Sequence, residues 1–321
     1  MRRSRRLFLT GFGAVAGGAA LFAIRDRLPH DLDIRFADGA RTPWLPLAPG
    51  RGLVEIDAEV DGRKVRAVVD TGAQLSAVDR RLAASLGLPR TLAAPILAYG
   101  VSGRPALTHT VTLDLALPGL AAPGIRAAVL DLVELSQSNG RPFELLIGRN
   151  LLSELVLEVD FPLDRARFLA AGAYRTPIDG QVIPLIRQAG GAPTLPVSIE
   201  GRPPLPLLLD TGASGWVALS EGAAERLGLL GPERRITRAP AVSLGGVRLD
   251  RLTQASHVKL GELTLQHVPV QIYAPALRIG APTGLVGASA LQGLRVAVDL
   301  GGGRIVLAPP TLRIVPEQSL R

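Results

Sequence analysis

Two short stretches place a carboxylate where an apolar strand would be expected to end. Residues 67–78 read AVVDTGAQLSAV and residues 207–219 read LLLDTGASGWVAL. In each, Asp-Thr-Gly follows a run of aliphatic residues, at Asp70 and at Asp210. A fold that brought the two ends together would hold two carboxyls within hydrogen-bonding distance. Such a pair cannot ionise twice cheaply, so it shares one proton and offers an acid and a base side by side. Glycine after the threonine fits this use, because Gly72 and Gly212 let backbone N–H groups approach a carboxylate with no Cβ in the way.

The two motifs are landmarks of a longer duplication. Asp70 and Asp210 lie 140 positions apart. Gly148 in LLIGRNLL and Gly287 in GLVGASAL lie 139 apart, as do Asp160 in LVLEVDF and Asp299 in LRVAVDL. WLPL at 44–47 answers VIPL at 182–185, and LGL at 86–88 answers LGL at 227–229. Landmarks in one order at a nearly constant offset mean two copies of one fold.

Each copy implies the same elements. A strand with alternating apolar residues (Leu53, Val54, Ile56, Ala58, Val60; then Leu195, Val197, Ile199) runs into a turn at Asp61-Gly62 or Glu200-Gly201. The next strand ends on Asp-Thr-Gly. A short helix follows, with Asp79 or Ser220 as N-cap and Gly87 or Gly228 as its stop. Further strands lead to the glycine segment, and a hairpin closes the copy. Asp160 and Asp299 are read as strand-end residues entering that hairpin turn, not as a second acidic pair. The expected fold is all-β: two pseudo-symmetric lobes at 41–170 and 182–310, joined by a linker at 171–181, with a cleft between them.

Composition narrows the function classes. The chain has 321 residues, 36 Gly, 26 Pro and 47% hydrophobic residues, which suits many short strands and a large core. It has no cysteine, so thiol catalysis, disulfides and zinc–thiolate sites are excluded. Its four histidines form no metal motif, and no metal site is expected; His257 and His267 fall in strand-like stretches. The net charge of +8 is carried almost wholly by arginine, without a dense basic run beyond the N-terminus and with only 4% aromatics, so nucleic-acid binding is not expected. Residues 1–30 have a basic head, Ser4-Arg5-Arg6-Leu7-Phe8-Leu9, and then an apolar stretch to Ile24. That layout resembles a bacterial twin-arginine export signal. With no clean cleavage site after it, retention as a membrane anchor is the competing expectation.

Asp-Thr-Gly after apolar residues, followed by a small residue and then a hydrophobic-hydrophobic-Gly segment 78 or 77 positions on, resembles a lobe of the aspartic proteases. The stretch DTGASGWVALSEGAAERLGL is especially similar to bacterial retropepsin-like members, and the duplicated chain to the bilobed pepsin plan. The resemblance implies that Asp70 and Asp210 are catalytic, that Thr71 and Thr211 bond across the lobe interface, and that Gly72 and Gly212 support the loops. It implies a peptide or protein substrate, no cofactor, a working monomer (or else a dimer pairing like lobes of two chains), and a flap over the cleft, for which Tyr99 and Gly100 are the candidates; the export signal, in turn, implies a protein that is periplasmic or anchored at the membrane facing the periplasm. Ala73 and Ala213 stand where pepsin-type lobes carry a hydroxyl, and losing that donor should raise the pair's pKa values toward a mildly acidic optimum. The copies also differ: Gln74 faces Ser214 in the alignment, and copy one has one residue fewer between motif and helix. Two functions follow as alternatives, an aspartic endopeptidase or a non-catalytic exported binding protein on the same scaffold.

Overall fold

A computed structural model describes residues 15–16, 32–48, 52–91, 96–98, 106–132, 136, 142–188, 191–243, 246–274 and 283–310. The first copy contributes β1 (Glu55–Val60), β2 (Arg63–Val69), β3 (Ser76–Asp79), helix α1 (Arg80–Leu86), β4 (Thr110–Leu117), β5 (Leu120–Leu130), β6 (Leu145–Ile147) and helix α2 (Arg149–Leu152), then a hairpin of β7 (Leu155–Asp160) and β8 (Arg165–Ala170). The second contributes β9 (Pro193–Ile199), β10 (Leu205–Asp210), β11 (Val217–Ser220), helix α3 (Glu221–Arg226), β12 (Gly246–Leu260), β13 (Leu263–Tyr273), β14 (Gly284–Gly287), β15 (Arg295–Asp299) and β16 (Arg304–Ala308).

In each copy the strands close into a ring, which gives two barrel-like β lobes. The first ring runs β5-β3-β6-β2-β1-β4 and returns to β5; the second runs β13-β11-β14-β10-β9-β12 and returns to β13. Closure removes exposed sheet edges, and the alternating residues of β1 point Ile56, Ala58 and Val60 into the core. Asp61 and Gly62 take positive φ in a two-residue turn that pairs Val60 with Arg63. Glu200 and Gly201 do likewise, but Pro203 and Pro204 follow and cannot donate to the ladder, so pairing resumes only at Val197 with Leu205. Asp79 caps α1 by accepting from Arg81 N–H at 2.8 Å. Ser220 occupies the same place before α3 but makes no side-chain cap bond.

The lobes meet in a third sheet. Its order is 181–184, β16, β15, β7, β8, 45–46, so the closing hairpins of both copies lie side by side. The seam is the antiparallel pair β7–β15, with Glu158 opposite Ala297. Asp160 and Asp299 end their strands on Arg165 (3.1 Å) and Arg304 (3.0 Å), as hairpin-closing ion pairs. Trp44, beside strand 45–46, has the guanidinium groups of Arg165 and Arg167 each 4.3 Å from its ring centroid.

Most of residues 1–31 lie outside the described residues; Val15–Ala16 pairs in parallel with Ala241–Val242. Tyr99 and Gly100 also lie outside them. The strands on either side are described: Ile96–Ala98 pairs antiparallel with Ala106–Thr108, and at the matching place in copy two Thr237–Ser243 pairs with residues 246–252 of β12.

Candidate active site

The aspartates sit where a third strand is threaded between two others. β6 runs parallel to β2 and antiparallel to β3, so LLI fills the gap opened by the Asp70 loop. β14 does the same between β10 and β11. Asp70 N–H donates to the Ile147 carbonyl at 2.9 Å, which ties the motif to the inserted strand. The glycine ending each insertion is required by space. A Cβ on Gly148 would stand 2.5 Å from the Leu75 carbonyl carbon, and one on Gly287 would stand 2.3 Å from the Gly215 carbonyl oxygen.

The two loops face each other despite the one-residue difference between them. A Cβ on Gly212 would fall 2.4 Å from Asp70 Cγ, and one on Gly72 would fall 2.7 Å from Asp210 Cγ. The threonines lock this approach. Thr71 Oγ1 donates to Leu209 O at 2.7 Å and accepts from Thr211 N–H at 3.1 Å. Thr211 Oγ1 donates to Val69 O at 2.7 Å and accepts from Thr71 N–H at 3.1 Å. Asp70 Oδ1 accepts from the N–H groups of Gly72 (2.8 Å) and Ala73 (2.9 Å), and Asp210 Oδ1 from Gly212 N–H at 3.0 Å.

Both carboxyls are covered: Asp70 is 0% and Asp210 1% exposed. Each carboxyl lies against the glycine of the other loop, and the Oδ2 atom of each is buried with no protein donor. Burial pushes Asp70 up to about 6, against the opposing pull of Ala73 N–H, the bond with Asp210, Gly72 N–H and the charge of Arg149. Burial, then the charge of Asp70 and the bond with it, raises Asp210 well above the ordinary carboxylate range. One proton shared by the pair would satisfy both Oδ2 atoms, and the titration would then belong to the pair.

Two stretches of this chain, residues 56–151 and 195–290, match the family model of the aspartyl proteases. The chain belongs to the aspartyl protease family. The two matches span the duplicated lobes, each including one Asp-Thr-Gly loop and its glycine segment. No curated protein matches the chain closely enough to count as a relative.

Sequence reasoning about the protease lobes missed three supporting residues. Ser76 Oγ accepts from Gly148 N–H at 3.0 Å and donates to Asn150 Oδ1 at 2.9 Å, while Ser76 N–H donates to the same oxygen at 2.7 Å. Arg149 is buried, at 6% exposed; its Nε donates to Ala73 O at 3.3 Å and its guanidinium reaches Gly191 O in the second half of the chain. The 139-residue offset held the signal for two of them. It pairs Arg149 with Ala288 and Asn150 with Ser289, so the copies differ in charge directly beneath their matching loops. Ser289 supports its loop differently, donating to Ser214 O at 2.6 Å.

Proposed function

We propose that the protein is an aspartic endopeptidase that hydrolyses peptide bonds with a water activated between Asp70 and Asp210. The observation that carries this is the mutual approach of two buried Asp-Thr-Gly loops, each presenting its carboxyl to the glycine of the other. In that arrangement the ionised member of the pair takes a proton from the water. The oxygen forms a bond to the peptide carbonyl carbon while the protonated member donates to the carbonyl oxygen. The tetrahedral species then breaks its C–N bond as a proton passes to the departing amine. Backbone N–H groups on the Oδ1 atoms hold both carboxyls in place through these transfers.

A peptide reaches carboxyls that are 0% and 1% exposed only when whatever packs over them is displaced, so turnover requires opening. Tyr99 and Gly100 are proposed to belong to the opening segment, since strands 96–98 and 106–108 form a hairpin leading to and from it. Both halves of the dyad come from one chain, which supports a working monomer. The Arg5-Arg6 head with its apolar stretch supports export by the twin-arginine route, with the protein periplasmic or held by its N-terminus at the membrane.

The test is cleavage of an unfolded protein at mildly acidic pH. Cleavage should be blocked by a statine-type inhibitor and lost in both Asp70→Asn and Asp210→Asn. Turnover that persists in either variant would remove the dyad from the mechanism, and sedimentation of the active species decides the monomer.

A further inference from the structure

The two lobes offer their aspartates nearly matching surroundings, and a shared proton needs something to decide where it rests. Arg149 breaks the symmetry. It follows Gly148, and the corresponding residue after Gly287 is Ala288. Its backbone N–H donates to Ala73 O at 2.9 Å and its Nε to the same oxygen at 3.3 Å. Ala73 is also the residue whose N–H supports Asp70 Oδ1 at 2.9 Å. The guanidinium therefore stands behind the Asp70 loop, held there from the other half of the chain by Gly191 O. We propose that Arg149 is a positioning residue that fixes the division of labour in the dyad, keeping Asp70 as the ionised, water-activating member and Asp210 as the proton carrier. This rests on the proteolytic reading of the site and adds to it which carboxyl does what.

The reason is electrostatic. A charge in a poorly solvated site is weakly screened, so the microstate with its negative charge nearer the guanidinium is favoured. Among the described residues, the charges that act on Arg149 include Asp70 first, then the like charge of Arg187, then Asp210. Burial presses Arg149 itself down to about 10, still far enough up to keep it charged where Asp70 titrates, at about 6. The hydrogen bonds lean the same way. Asp70 Oδ1 accepts two short N–H bonds, whereas Ala213 N–H leans on the Asp210 carbonyl oxygen at 3.3 Å and supports that carboxylate less.

The experiment is a carboxyl-carbon NMR titration of the full chain, which needs no turnover. Asp70 is followed in an Asp210→Asn chain and Asp210 in an Asp70→Asn chain, each with and without R149Q. The expected result is an Asp70 midpoint raised by about one unit on removing the charge, and an Asp210 midpoint raised by less than about half as much. R149K, which keeps a charge without the fork of donors, should leave Asp70 nearly where it was. Equal shifts at both carboxyls, or none, would overturn the proposal; so would R149K moving Asp70 as far as R149Q. Should R149Q fail to fold, the Arg149 chains still decide: Asp70 must titrate below Asp210, and the reverse order or coincidence sinks the idea. An asymmetric dyad in a chain that cleaves nothing would overturn the protease reading alone. Cleavage with a symmetric dyad would overturn only the role of Arg149.

Discussion

Thr71 and Thr211 exchange the same pair of hydrogen bonds in both directions across the lobe boundary. Each hydroxyl donates to the carbonyl preceding the other lobe's aspartate, Leu209 O or Val69 O, and accepts the other threonine's N–H. The carboxyl separation is thus set by four bonds between main chain and side chain that do not involve the carboxyls. The acidic pair can change protonation without the loops losing their spacing.

Thr71→Val or Thr211→Val removes one hydroxyl and leaves a buried carbonyl and a buried N–H without their partner. At about 1–3 kcal/mol for an unsatisfied buried group, each variant should lose about 2 kcal/mol or more in urea denaturation. Its kcat/KM should fall by about tenfold or more, because the dyad loses its spacing. Thr→Ser at the same positions keeps the donor and acceptor and should stay within about 1 kcal/mol of the parent. Val variants with unchanged kcat/KM would show that the threonines do not set the dyad.

Gly212→Ala would put a Cβ 2.4 Å from Asp70 Cγ, and Gly72→Ala one 2.7 Å from Asp210 Cγ. Relief requires pushing a carboxyl out of the shared site, so both variants should lose cleavage and binding of a statine-type inhibitor while still folding at a cost of about 1–3 kcal/mol. Gly148→Ala and Gly287→Ala meet backbone instead, which cannot rotate away. These two should be the less stable pair by thermal melting.

Asp160 and Asp299 make a second repeated acidic pair, and their geometry is structural. Each closes its hairpin on the arginine that follows, and Asp299 Oδ1 also accepts Gly302 N–H at 2.7 Å. Asp160→Asn and Asp299→Asn should each cost about 1 kcal/mol in denaturant and leave kcat within about twofold. A large fall in kcat from either would mean that the repeat carries chemistry as well as architecture.

Burial lifts Asp70 to about 6 and Asp210 well above the ordinary carboxylate range, so the pair holds one proton over a window that opens near the Asp70 value. Below it both carboxyls are protonated and no base remains. The rate constant kcat/KM should fall by about tenfold for each pH unit below about 6, and should fall again at higher pH as the second proton leaves. A profile still rising toward strongly acidic pH would contradict the burial of the pair.

The architecture was legible where local chemistry decides it. Alternation in 53–60, the Asp61-Gly62 turn, the Asp79 cap and the glycines beneath the loops follow from steric and hydrogen-bonding rules that act within a few residues. The pairing of the copies was legible because a constant offset survives divergence. Two things were not. Arg149 sits in an apolar run on a helix of only four residues, and nothing local tells whether its side chain points to solvent or back under Ala73. The cause of the raised pKa values also shifts. Sequence pointed to the hydroxyl missing at Ala73 and Ala213, but burial comes first at both carboxyls, and Ala73 N–H pulls Asp70 the other way. Burial is a property of the closed rings and the β7–β15 seam, which no single stretch reveals.

The same raised values make the dyad a pH-dependent cost to folding. In the unfolded chain both aspartates titrate near 3.8, whereas in the folded protein Asp70 holds its proton up to about 6 and Asp210 is also raised well above 3.8. Between those limits the folded state binds more protons than the unfolded one, so this contribution to stability is complete below about 3.8 and is lost as pH rises through the folded values. The double variant Asp70→Asn/Asp210→Asn removes both titrations. Its stability relative to the parent, from urea midpoints at a series of pH values, should therefore improve steadily between pH about 4 and pH about 7. Other carboxylates contribute equally to both proteins and cancel in the difference. A difference that stays flat across that interval would mean the two carboxyls ionise as freely in the folded protein as in the unfolded one, which two buried groups in contact cannot do.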